Sequence, residues 1–135
     1  MTLINMEEKM SWVYLIIAIV AEVFGTTSMK LSQGLSKLWP SVMIFVFYGL
    51  SLVFLMVSLK KIDISVAYAI WSGLGTAIIA LIGILLFKES VSSIKVLSIV
   101  LIIAGVIGLN LADGLQDKGE KEKSVQQVYS DKTAE

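Results

Sequence analysis

One of the eleven acidic residues, Glu22, stands in the middle of an apolar run, while the others fall in polar connectors or at the chain ends. A carboxylate at the centre of a membrane-length helix costs roughly 2.5–3.5 kcal/mol, so such a group is a functional-site candidate by default. In low dielectric the bare anion is disfavoured, and a proton or a cation relieves it. The competing reading is a side chain that snorkels to the surface or pairs with Lys30. Lys30 lies eight residues on, about 12 Å along a helix axis, which is too far for a direct pair.

Helical spacing places Leu15, Ala18, Glu22, Gly25, Thr26 and Met29 on one stripe. Ala18 and Gly25 leave space beside the carboxylate, and Thr26 offers a hydroxyl one turn away. The same small residues also suit close helix packing, and the two roles are compatible. Tyr68 and Trp71 are three apart and share a face. An aromatic face beside a carboxylate suits a lipophilic cation, to which a ring adds about 0.5–2 kcal/mol. The alternative for these rings is an interfacial belt, which Tyr68 fits better than Trp71. Tyr48 and Ser51, also three apart, are weaker candidates.

The missing residue types narrow the chemistry. With no cysteine and no histidine, disulfides, thiol nucleophiles, histidine bases and nearly every zinc site are excluded. A serine nucleophile would need a lysine base, and no lysine lies deep in an apolar run. No enzyme activity, metal or cofactor is expected. All eleven basic residues are lysines and net charge is zero, which gives no pointer to nucleic acid.

The elements that must position these side chains are four apolar runs, at about 12–29, 38–59, 65–87 and 94–111. Each approaches the ~20 residues that span a hydrocarbon layer as helix, and helices satisfy their own backbone groups in lipid. Mean hydropathy is +0.84 with 56% hydrophobic residues, too apolar for a soluble domain of 135 residues. A cleaved signal peptide is the alternative for the first run, but no clear small-residue cleavage site follows it. Short connectors require antiparallel neighbours, and Pro40 sits at the start of the second helix, where its missing N–H costs nothing. The fold class is therefore all-α and integral to the membrane, with a polar N-terminal extension over 1–11, a four-helix domain over 12–111 and a charged tail over 112–135. The tail cannot pack a core and is expected to be disordered, with a short surface helix as the other reading. Seven lysines fall on the side of the termini and four on the opposite side, but without the tail the tally is three against four. The helical body thus has almost no preferred orientation.

Within the spans, Ala69, Gly73 and Ala77 form a small-residue stripe, repeated by Ala104, Gly108 and Ala112. Gly73 and Gly75 in mid-helix are candidates for a kink or hinge. One protomer has one buried carboxylate and little room for a pore. Two copies would supply two carboxylates that titrate as a coupled pair, and competition of protons and cations for that pair, with alternating access, suffices for exchange.

Three stretches make the chain resemble the small multidrug resistance family. They are Ala21-Glu22-Val23-Phe24-Gly25-Thr26-Thr27-Ser28-Met29-Lys30 with Ser32 and Gly34, then Leu38-Trp39-Pro40-Ser41, then Ala67-Tyr68-Ala69-Ile70-Trp71-Ser72-Gly73-Leu74-Gly75. The likeness runs from about Trp12 to Leu111. It implies a homodimer, often antiparallel, acting as a proton-coupled antiporter of cationic compounds in the bacterial inner membrane. On this resemblance Glu22 is the shared proton and cation site, Tyr68 and Trp71 are aromatic site residues, and Tyr48, Ser51, Thr26 and Ala18 line the site. Gly73 and Gly75 mark the hinge, and Ser98 and Gly105 the fourth-helix dimer contact, where Ser98 departs from the usual glycine. Gly25 stands where guanidinium exporters carry tryptophan, and Ser72 where polyamine exporters carry glutamate. The pattern resembles the quaternary-ammonium type. The long tail resembles members that work as unlike pairs, so a heterodimer subunit is an alternative. Others are an exporter of one natural cation, an accessory subunit and a passive channel.

Overall fold

The computed structural model describes residues 2–133 and contains four helices. They are α1 (Thr2–Ser32), α2 (Leu38–Ser58), α3 (Ile64–Leu85) and α4 (Ser93–Thr133). Each contains a stretch long and apolar enough to cross a membrane, at Met6–Ser32, Leu38–Ser58, Ile64–Leu85 and Ser93–Ala112. These agree with the four apolar runs to within a few residues at most ends, and α1 extends further, since the polar segment before Trp12 continues it as helix.

The three connectors are tight. Between α1 and α2 the backbone is left-handed at Gln33, Gly34 and Leu35, and Ser32 holds the bend by accepting from the Leu35 N–H at 3.3 Å and donating to the Met29 carbonyl at 2.8 Å. Between α3 and α4 a left-handed Lys88 turns the chain so that the Glu89 N–H donates to the Gly83 carbonyl at 3.0 Å. The C-terminal ends of α1 and α3 therefore share one side with the start of α4.

The core lies among α1, α2 and α3. Leu15, Ala18 and Ile19 pack with Leu55, Ile62, Val66 and Ala67, and Trp12, Phe54 and Trp71 close over them. Aromatic stacks join α1 to α2 at Tyr14–Phe54 and Phe24–Phe47. Small residues allow the close approach: a Cβ at Gly25 would sit 2.6 Å from the Tyr48 ring. The outlier is α4, which packs on α3 through Ile102 and Val106 beside Gly73. None of the residues Ser93–Ala112 is buried.

At the tail the structure departs from the sequence expectation of a disordered segment from 112, for α4 continues as helix to Thr133. The physical reason is local. This stretch is rich in Lys, Glu and Gln, which are strong helix formers, and extending a formed helix avoids the nucleation cost.

Candidate site at the membrane-embedded glutamate

Glu22 is half-buried and lines a cleft of about 780 Å³ together with Thr26, Tyr48, Trp71, Gly75 and Thr76. That volume lies within the ~300–1,000 Å³ typical of small-molecule sites. The Thr26 hydroxyl donates to Glu22 Oε1 at 2.6 Å. The same hydroxyl lies 2.8 Å from the Tyr48 Oη. Because a threonine has one proton to give, an ionised Glu22 takes it, and Tyr48 then donates to Thr26. Protonation of Glu22 allows the chain to reverse. The second oxygen, Glu22 Oε2, is buried without a hydrogen-bond partner among the described residues. It lies against α3, 2.7 Å from the position of a Cβ on Gly75. Gly75 is therefore the residue that admits the carboxylate to this face of α3.

Trp71 is placed from behind. Its indole Nε1–H donates to Ser51 Oγ at 3.3 Å, and Ser51 donates to the Ala18 carbonyl at 2.7 Å. Ser51 and Ala18 are fully buried. They stand behind the cleft wall and tie α1, α2 and the Trp71 ring into one unit. Tyr68 lies outside the cleft, 58% exposed, with its ring tilted against Trp71 at 5.7 Å. The two glycines of the third helix face different neighbours. Gly75 faces Glu22, while a Cβ on Gly73 would meet Val106 of α4 at 2.5 Å. Ser98 is exposed, and nothing lies within 4 Å of a Cβ at Gly105.

Three charged residues that carried no signal in the spacing also line the cleft: Lys30, Glu89 and Lys95. Glu89 pairs with Lys30 at 2.8 Å and with Lys95 at 3.2 Å. The hydrogen bond from Lys30, followed by that from Lys95, holds the Glu89 carboxyl below the usual carboxylate range. Lys30 also lies 5.4 Å from the centre of the Phe87 ring. Read along the chain these are connector charges, and only the fold shows that they reach the same space as Glu22. Thr27 also lines the cleft, with a buried hydroxyl lacking a partner among the described residues. No group of His, Cys, Asp and Glu side chains is placed to hold a metal ion among the described residues.

Comparison with known proteins agrees with the geometry. The family described as Small Multidrug Resistance protein matches residues 10–102. An uncharacterized membrane protein, YvaE, of Bacillus subtilis (strain 168) is 58% identical over 104 residues, covering 77% of this chain and 87% of its own. The multidrug resistance protein EbrB of the same organism is 50% identical over 97 residues, 72% of this chain and 83% of its own. The quaternary ammonium compound-resistance protein QacE of Escherichia coli is 44% identical over 100 residues, 74% and 91% respectively. The chain belongs to the small multidrug resistance family. It is a multi-pass bacterial membrane protein of a transporter family, not an enzyme.

Proposed function

We propose that the protein exports lipophilic or quaternary-ammonium cations in exchange for protons, with proton and cation competing for Glu22. The observation that carries this reading is Glu22 Oε2, buried and unpartnered in a cleft large enough for a small molecule. An ionised carboxylate left so is costly, and either a proton or a cation removes the cost. The two cannot both occupy it, which is the condition for exchange. The Trp71 ring on the same wall suits a hydrophobic cation. The names of EbrB and QacE support this substrate class.

In this reading a second copy completes the site. It brings a second Glu22, and its own Ser98 and Gly105 face cover the bare fourth helix. The Gly73-Leu74-Gly75 segment of α3 is the hinge for alternating access. The test is proton release from detergent-solubilised protein when tetraphenylphosphonium is added. Wild-type protein is expected to release protons as it binds the cation, and Glu22→Gln to release none. Unchanged release from Glu22→Gln would overturn the reading.

A further inference from the structure

The Lys30–Glu89–Lys95 cluster joins parts of the chain that are otherwise far apart. Lys30 stands in the last turn of α1, Glu89 in the α3–α4 connector and Lys95 near the start of α4. Each carboxylate oxygen of Glu89 holds one ammonium, Oε1 that of Lys30 and Oε2 that of Lys95. The carboxylate can lie there because Gly83 has no side chain, since a Cβ at 83 would sit 2.8 Å from Glu89 Oε2. All of these residues line the cleft that contains Glu22. They stand at its end on the connector side, about 12 Å along α1 from the carboxylate.

We propose that Lys30, Glu89 and Lys95 are a charged clasp closing this mouth of the cleft, and that the cleft opens to this side when Glu89 releases Lys30. The proposal rests on the reading that the cleft carries cations, and it adds the regulation of access to it. Three features fit a clasp better than a fixed brace. First, the pairs are substantially solvent-exposed, with Lys30 at 55% and Glu89 at 38%. Exposed ion pairs contribute little to stability and are easily broken, as a moving closure must be. Second, two ammoniums on one carboxylate leave a net positive charge, which opposes entry of a cation while the clasp is shut. Third, Lys30 covers the Phe87 ring at 5.4 Å, so its release uncovers both that ring and Glu89 Oε1, two groups that line the same cleft. With Lys95 still on Oε2, the freed Oε1 and the ring offer an entering cation the same two kinds of group as Glu22 and Trp71. The pair at the other end of the bundle, Lys61 with Glu7 at 2.9 Å, is of similar length and exposure but does not line the cleft. It serves as an internal control.

The chain has no cysteine, so a single Ala80→Cys substitution gives a clean reporter. Ala80 lines the cleft between Gly75 and Gly83, inside the clasp. The measurement is the rate at which this thiol reacts with a membrane-impermeant maleimide, with the full chain in lipid nanodiscs. Glu89→Gln is expected to raise the rate several-fold, Lys30→Met to do the same, and the double variant to add nothing to either. Gly83→Ala, which keeps every charge and displaces the carboxylate, is expected to raise it too. Inversion of all three charges, Lys30→Glu and Lys95→Glu with Glu89→Lys, is expected to restore slow labelling, which separates clasp opening from misfolding, and Glu7→Gln to leave the rate unchanged. Rates within twofold of the parent in both Glu89→Gln and Lys30→Met, or an equal rise in Glu7→Gln, would overturn the clasp. Labelling is read without transport, so proton release lost in Glu22→Gln beside unaltered labelling in the Glu89 variants would sink the clasp alone.

Discussion

α1 and α4 are both apolar membrane-length helices, yet the fold uses them in opposite ways. α1 buries Leu15, Ala18, Ile19, Ala21 and Val23 and carries Glu22. α4 buries nothing between Ser93 and Ala112 and leaves Gly105 and Gly108 with nothing within 4 Å of a Cβ. Apolarity sends both into the membrane, but lipid is as apolar as a leucine, so it does not tell a helix where to pack. Small residues and hydrogen bonds do. Gly25 admits the Tyr48 ring and the Ala18 carbonyl accepts from Ser51, and this locks α1 to α2. The small stripe of α4 has no such partner within the protomer. The expected outcome is that damage along α1 and the α3 face it meets strikes the site, whereas damage along α4 strikes assembly.

The two glycines of α3 test this division most sharply, because they stand two residues apart and face the two helices. Gly75→Ala puts a methyl 2.7 Å from Glu22 Oε2. The carboxylate must move, and tetraphenylphosphonium affinity, measured by calorimetry, is expected to fall about 100-fold, roughly 2.7 kcal/mol. Gly73→Ala meets Val106 of α4 instead, at 2.5 Å. It is expected to lower thermal stability and leave affinity within about threefold, a change of roughly 0.7 kcal/mol. Equal affinity losses in both would break the comparison.

Glu22, Thr26, Tyr48 and Trp71 were legible in the sequence because each is a polar or aromatic residue within an apolar period, and the fold brings all four to one cleft. The four helices were legible for the same reason. Spacing alone did not separate Ser51, which braces Trp71 from behind, from the residues that line the cleft. Nor did it distinguish the neighbours of Gly73 and Gly75, because that depends on how α3 is rotated between α1 and α4. Glu89 was invisible. A glutamate in a connector looks like any interfacial charge until the turn at Lys88 folds it over Gly83. For the tail the helix was only the second reading, because composition that forbids a packed core does not forbid a solvated helix.

Within the α1 side of the comparison, smaller effects should grade with chemistry. Trp71→Leu removes the ring and is expected to weaken cation affinity about tenfold, within the ~0.5–2 kcal/mol of a cation–π contact. Trp71→Phe keeps a ring, loses only the 3.3 Å bond to Ser51, and should cost less. Tyr48→Phe removes the donor to Thr26. With about 0.5–1.5 kcal/mol at stake in such a bond, a two- to tenfold loss is expected, read most directly in the pH dependence of binding. On the α4 side, a Cβ at Gly105 has nothing within 4 Å in the protomer, and the variant to make is Gly105→Leu. It is expected to weaken binding only at low protein-to-lipid ratio and to recover at high ratio, because mass action restores an assembly but not a damaged site. A loss that ignores protein concentration would place Gly105 in the site rather than in assembly.

The smallest expected effect lies where α1 and α4 are joined, through Glu89. Its carboxyl is held below the usual carboxylate range by the bond from Lys30 and then that from Lys95. The sign follows from linkage: a depressed carboxyl contributes its stabilisation above the pKa of the free group and loses it as pH falls through the folded value. The labelling rate of Ala80→Cys, corrected for the reagent's own pH dependence, should therefore stay flat across the neutral range and rise only on acidification below the ordinary carboxylate region. Glu22 stands apart from this pair, about 12 Å along α1 from Lys30. A labelling rate that climbed near neutral pH in the parent, and stopped doing so in Glu22→Gln, would show that the embedded carboxylate itself drives the clasp. The two ends of the cleft would then be one coupled device rather than two.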